Sequence, residues 1–203
     1  MPDKDYIVAE ATKMIISQGV RAVRMDDIAS DLGMSKRTLY EMFGDKENLV
    51  EQCLTWYFHQ TGEKYKARMD EAPNIILRFI VLLQDWDTII ETNMKLMDGI
   101  KKFYPQVYGR ITKHKQEGRL DELKEQLQEG ISQGFFLPDI DVDLAVSVFT
   151  DSVYGMVLNM EKFEERKISA SQAFKYIVTY FFRGMSTEKG ITLIDQYITN
   201  YKK

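Results

Sequence analysis

Cysteine and histidine are nearly missing from this chain: 203 residues hold one of the first and two of the second. A single thiol, Cys53, cannot close an internal disulfide, which suits a reducing compartment. Together with two histidines it is a poor metal set, and no metal or cofactor is expected. Long apolar runs are missing too. The longest strongly apolar stretch, residues 79–83, falls far short of the ~20 residues that span a bilayer. The opening MPDKDY lacks the charged-then-apolar pattern of a secretory leader. The cytoplasm is therefore the expected location, with no membrane partner. No Walker-type glycine loop and no nucleophile elbow is present. Asp139-Ile140-Asp141-Val142-Asp143 starts like a calcium loop, but Leu144 stands where the turn glycine belongs and Thr150 where the bidentate glutamate belongs. A loop followed by a helix cap is the better reading. Excess positive charge is also lacking. Lys and Arg number 27 against 31 Asp and Glu, a net of −4. The first fifty residues carry seven cations and nine carboxylates, a net of −2. Any contact with a polyanion must be local.

What the chain does have is helical patterning. Its length suits one or two domains with a real core, and 44% hydrophobic with 29% charged residues is ordinary for a globular protein. Apolar residues recur at helical spacing almost throughout, and strand-like alternation is rare, so the fold class is all-α. A first helix is expected over 4–18, with Ile7, Val8, Ala11, Met14 and Ile15 as its stripe and Gly19 as its stop. Short helices follow over 25–32 and 36–42, and a long fourth begins at Lys46. Further helices are expected over 75–90, 94–103, 105–118, 120–133, 142–162, 169–183 and 186–201, with a loop over 134–141. No repeat or flexible linker is visible. The break between a small N-terminal unit (1–47) and a larger helical body (48–203) falls inside the fourth helix.

The densest constellation is "SKRTLYEMFGDKENL", residues 35–49. Gly33 can take the positive φ of a tight turn. Ser35 can accept from the open N–H groups of the next helix start. Ile28, Ala29, Leu32, Leu39 and Phe43 point one way at helical spacing. This is the sequence form of a helix-turn-helix. Lys36, Arg37 and Tyr40 then point outward from the second helix. Two cations at a helix N-terminus oppose the macrodipole. They are a misfit for stability and a fit for contacting a polyanion. Arg can read guanine bidentately, and Thr38 and Tyr40 can bond phosphate. The blander alternative is a solvated surface on a short connecting helix.

From Ile7 to about Tyr57 the chain resembles the N-terminal domain of the tetracycline-repressor-like (TetR) family of bacterial transcription regulators. The matching residues are Ala11 and Gly19, Asp26-Asp27-Ile28-Ala29, Leu32-Gly33-Met34-Ser35, Thr38-Leu39-Tyr40, Phe43, Asp45-Lys46-Glu47 and Leu49. The rest of the chain resembles the family in length and helical pattern only. The resemblance implies that Ser35, Lys36, Arg37, Thr38 and Tyr40 face double-stranded operator DNA, and that Lys46 lies near a phosphate. One position departs: Arg24 stands where the family usually has a capping Thr or Ser, which suggests a direct Arg–phosphate contact.

The family resemblance also implies a body that binds a small-molecule effector and forms a homodimer. Trp56, Phe79, Trp86, Phe103, Tyr104 and Tyr108 are candidates to line an adaptable apolar pocket, although plain core packing explains the same residues. Few unpaired charges lie among them, which favours an apolar or aromatic effector. His59 and His114 are either ligand-orienting or ordinary surface and core residues. For the dimer contact the candidates are Phe149 and Met156 on one late helix, with Phe174, Ile177 and Phe181 on the next. Paired about a two-fold axis they would make a four-helix contact. The expected function is a non-enzymatic transcription regulator, a repressor released by its effector. The alternatives are a helical carrier or enzyme whose helix-turn-helix is purely structural, and a regulator answering to a protein partner.

Overall fold

The protein is described here by a computed structural model covering residues 3–201; the side chains of residues 82, 84–91, 114–119 and 198–201 lie outside the described residues. The described residues form the helices α1 (Lys4–Gln18), α2 (Met25–Asp31), α3 (Lys36–Phe43), α4 (Lys46–Asp70), α5 (Ile75–Phe103), α6 (Pro105–Ser132), α7 (Val142–Leu158), α8 (Met160–Glu165), α9 (Ala170–Gly184) and α10 (Glu188–Tyr201). The fold is all-α, as the periodicity implies. Two expected breaks are missing, because α5 and α6 each run unbroken where two helices were expected. Thr92, Asn93 and Gly118 are weak helix formers, and a glycine costs only ~1 kcal/mol against alanine within a helix. A helix of nearly thirty residues absorbs that.

The chain divides into two compact units, one of residues 1–65 with 91–116 and the other of 66–90 with 117–203. α4, α5 and α6 each carry residues of both. The core of the first unit is built from Ile7, Val8, Ala11 and Ile15 of α1, Ile28 and Ala29 of α2, Leu39 and Phe43 of α3, and Leu49, Val50, Cys53 and Leu54 of α4. Leu96, Ile100 and Val107 close it. Cys53 is buried, and burial pushes its thiol up to about 11.

The second unit is organised on aromatic rings. Phe182 of α9 stacks on Phe79 of α5 at 3.8 Å between centroids, with Phe136 at 5.9 Å and Phe149 at 5.4 Å from Phe182. Phe136 sits against Gly130 of α6, where any Cβ would collide with its ring. The segment after α6 is tied to the start of α10: Leu137 donates to the Met185 carbonyl at 2.9 Å and Thr187 N–H to the Phe135 carbonyl at 3.0 Å. Asp141 caps α7 by accepting from Leu144 N–H at 3.0 Å, so the acidic run is a loop and cap. Among the described residues no group of His, Cys, Asp and Glu is placed to hold a metal ion, and no helix is long and apolar enough to cross a membrane.

Candidate nucleic-acid interface

α2 and α3 are joined by a turn that the local sequence dictates. Gly33 takes φ +61°, and Met34 N–H reaches back to the Ala29 carbonyl at 2.9 Å. A left-handed residue just past a helix is the common way to satisfy its last carbonyls, and glycine adopts it without a Cβ clash. Ser35 then opens α3. Its Oγ accepts from Thr38 N–H at 3.0 Å and shares a hydrogen bond with Thr38 Oγ1 at 2.8 Å. Leu39 and Phe43 are buried beneath α3, while Lys36, Arg37 and Tyr40 are exposed. The division of α3 into an anchoring side and a cationic side is complete within two turns.

The exposed cations have carboxylate partners that sequence reasoning did not assign. Lys36 Nζ lies 2.7 Å from an oxygen of Asp26 in the first turn of α2, which holds the ammonium above its usual range. Arg37 Nε donates to Glu41 at 2.8 Å, yet its side chain keeps 88% of its surface open. The second pair is readable as an i,i+4 pair on one helix. The first spans ten residues and exists only because the turn brings the two helix starts together.

Arg24 occupies the N-cap of α2 in extended backbone. A guanidinium has no acceptor, so it cannot cap the amides that follow. The cap works from the other side, where Asp27 accepts from Arg24 N–H at 2.9 Å. The guanidinium is thereby left exposed and uncommitted to the helix end. Lys46, at the start of α4, is half-buried. Its Nζ donates to the Val20 carbonyl at 2.7 Å and stands 5.9 Å from the Tyr104 ring centroid. Burial lowers its pKa, with Asp27 opposing and Arg24 adding to the fall. In the free protein this ammonium faces the unit, not the solvent alone.

The six residues named for an effector pocket are not gathered in one unit. Trp56, Phe103, Tyr104 and Tyr108 belong to the first, where Trp56, Tyr104 and Tyr108 pack on its core. Phe79 belongs to the second, and the Trp86 side chain lies outside the described residues, as does that of His114. The second unit does hold a small apolar cavity of about 30 Å³ lined by Ile76, Phe79, Ile80 and Leu83 of α5, Val178, Thr179 and Phe182 of α9, and Ile194 of α10. Phe79 was the only lining residue singled out. The others were hidden because core and pocket residues share one composition. Of the residues named for a dimer contact, Met156 and Phe174 are only 3% and 5% exposed and lie in the subunit core. Phe149, Ile177 and Phe181 are half-buried. The open apolar surface of α7 and α9 consists instead of Leu144, Val148, Tyr154, Val157 and Leu158 with Tyr176 and Tyr180, whose two rings are 4.4 Å apart.

This unit is thus a helix-turn-helix that turns a cationic helix face outward, the arrangement of a major-groove DNA reader. Residues 7–53 match the family model described as bacterial regulatory proteins, tetR family. The HTH-type transcriptional repressor KstR2 of Mycolicibacterium smegmatis is 26% identical over 160 residues, covering 76% of this chain and 77% of that protein. Among solved structures, a transcriptional regulator from Cytophaga hutchinsonii superposes with a TM-score of 0.78 at 17% identity, over 89% of this chain and 97% of the other. The ketosteroid transcriptional regulator KstR2 of Mycobacterium tuberculosis gives a TM-score of 0.53 at 21% identity, over 93% and 97%. Residues 7–53 are thus similar to the DNA-binding segment of the tetR family, and the chain as a whole shares the helical fold of these solved regulators.

One consequence of the α2–α3 geometry is testable at once. Asp26 holds Lys36 and sets a negative charge beside the cationic side of α3. Asp26→Asn should raise affinity for random-sequence duplex severalfold and narrow the gap between operator and random DNA. Asp31→Asn, which removes the same charge from the far end of α2, should do less. Equal effects of the two, measured by fluorescence anisotropy, would show that only net charge matters.

Proposed function

We propose that the protein is a homodimeric repressor that reads a palindrome-like operator through residues 1–47. In this reading Lys36, Arg37, Thr38 and Tyr40 enter the major groove, and Ser35, Arg24 and Lys46 contact the backbone. One observation carries it: Lys36, Arg37 and Tyr40 are exposed on a helix whose other side, Leu39 and Phe43, is buried. Lys46 reaches a phosphate only by leaving the Val20 carbonyl, so its contribution belongs to the bound state. Two reading helices would address half-sites one helical turn apart, about 34–36 Å, or a multiple of it. The dimer contact falls to the open apolar surface of α7 and α9, where two copies would meet as four helices.

The effector is a small apolar molecule. The apolar lining of the α5–α9–α10 cavity supports this reading, since Thr179 alone offers a side-chain hydroxyl. It releases operator by preferring the state that does not fit the DNA. The work takes place in the cytoplasm. A mobility shift with duplex from beside the gene should give a retarded band that unlabelled copies of that duplex remove and random DNA does not. Absence of a specific band overturns the reading. A thermal-shift screen of hydrophobic compounds tests the effector. A ligand at a hundred times its Kd stabilises by ~2.7 kcal/mol, and a screen without hits favours control by a protein partner.

A further inference from the structure

Outside the reading helices, three exposed cations of the first unit lie against aromatic rings, whereas Lys13 and Arg110 pair with carboxylates. Arg21, in the turn after α1, has its guanidinium carbon 5.4 Å from the Phe103 ring centroid, and Lys102 Nζ is 5.7 Å from the same centroid. Lys101 Nζ stands 5.9 Å from the Tyr108 centroid. Arg21, Lys101 and Lys102 are exposed, and Phe103 keeps 38% of its surface open. Among the described residues none of these three cations has an ion-pair partner. Asp98, one turn before Lys101 and Lys102 on α5, is exposed and forms no ion pair with either, while Asp45 caps α4 through Asn48 N–H at 2.8 Å and Glu47 lies 3.7 Å from Arg110.

The patch is continuous with the candidate interface. Val20, next to Arg21, accepts from Lys46, and the charge of Lys46 responds to Arg24 at the start of α2. Contacts therefore link Arg24 and Asp27 to Lys46, Lys46 to the Val20–Arg21 segment, and Arg21 through the Phe103 ring to Lys102, beside Lys101. The dipole of α5 favours lysines in its last turn, which accounts for Lys101 and Lys102 taken alone. It does not account for Arg21, brought from another segment onto the same ring as Lys102. Two like charges sharing one exposed ring without a counter-ion repel. The ring attracts each cation, but it does not neutralise them, so both charges stay available to a polyanion.

We propose that Arg21, Lys101 and Lys102, seated around Phe103, form a second phosphate-binding surface that takes the sugar–phosphate backbone of duplex DNA flanking the half-site. The inference rests on the DNA-reading role of α3 and extends the contact beyond the helix-turn-helix. A phosphate contact carries no sequence information, and each one adds about 0.9 to the slope of log affinity against log salt.

The test is a salt titration of full-length protein on random-sequence duplex and on operator duplex. Lys101→Gln/Lys102→Gln should lower the slope by close to 2 per subunit and weaken both duplexes alike. Arg21→Gln should lower it by about half as much. Lys162→Gln/Arg166→Gln, an equal charge change at exposed residues around α8, should leave the slope where it was. Arg37→Ala should lose operator preference. If Arg37→Ala loses that preference while the lysine double variant keeps the wild-type slope, the flanking surface is overturned and the reading role of α3 stands. If the control variant lowers the slope equally, the patch is overturned in favour of net charge. Wild-type protein that binds no DNA overturns both.

Discussion

Arg37→Ala should cost roughly 2–6 kcal/mol of operator affinity in a dimer, about 1–3 kcal/mol at each half-site. At 1.4 kcal/mol per tenfold, that reaches from about thirtyfold to about twenty-thousandfold. Arg37 is the most open of the cations on α3, and its tie to Glu41 is an i,i+4 surface pair. Such pairs are worth ~0.3–0.5 kcal/mol, far less than a bidentate contact to guanine. The pair therefore orients the side chain without holding it back. Random-sequence affinity should fall much less, so the loss appears as a collapsed specificity ratio. Titration of both duplexes at one salt concentration measures it. A parallel fall on the two would mean that Arg37 touches only phosphate.

Phe43→Ala should have the largest effect on stability, about 3–5 kcal/mol. Phe43 is among the largest fully buried side chains of the first unit and lies in the last turn of α3. Its backbone carbonyl accepts from Asn48 Nδ2 at 3.0 Å, which joins α3 to α4. An eight-residue helix has little stability of its own. Without the ring, α3 loses its main anchor to the core. Against a total of ~5–15 kcal/mol the loss is large, and the melting temperature should drop by roughly 6–20 °C. Operator and random DNA should both be bound poorly at temperatures where wild type is intact, in contrast to Arg37→Ala. Calorimetry paired with anisotropy separates the two variants. A melting temperature within 2 °C of wild type would mean that Phe43 is not an anchor.

The two experiments divide what the sequence made legible from what it did not. Ser35, Leu39 and Phe43 were readable because capping and helical spacing are local rules acting over four residues or fewer. α1 and the starts of α2, α3 and α4 were readable for the same reason. The Asp26–Lys36 pair was not, since it depends on how a turn folds two helix starts together. Lys46 illustrates the limit. Its position at the start of α4 is local, but its turn toward Val20 depends on a carbonyl 26 residues away. Phe103 was taken for a pocket residue on composition alone, and its exposure between Arg21 and Lys102 could be known only from the fold. Met156 and Phe174 failed as surface residues because spacing identifies a stripe without saying which of two packed neighbours covers it.

The burial of Cys53 reaches into how this protein can be studied. A thiol pushed up to about 11 holds next to no thiolate at neutral pH, and the thiolate is the reactive species. Maleimide and methanethiosulfonate reagents should pass over it while the protein is folded. A cysteine introduced at exposed Ser30 on α2 would then be the sole labelled position, with no need to engineer the native one away. In a two-fold dimer it would report as a matched pair of spin labels. Their separation, followed as candidate effectors are added, would read the spacing of the two DNA-reading heads directly.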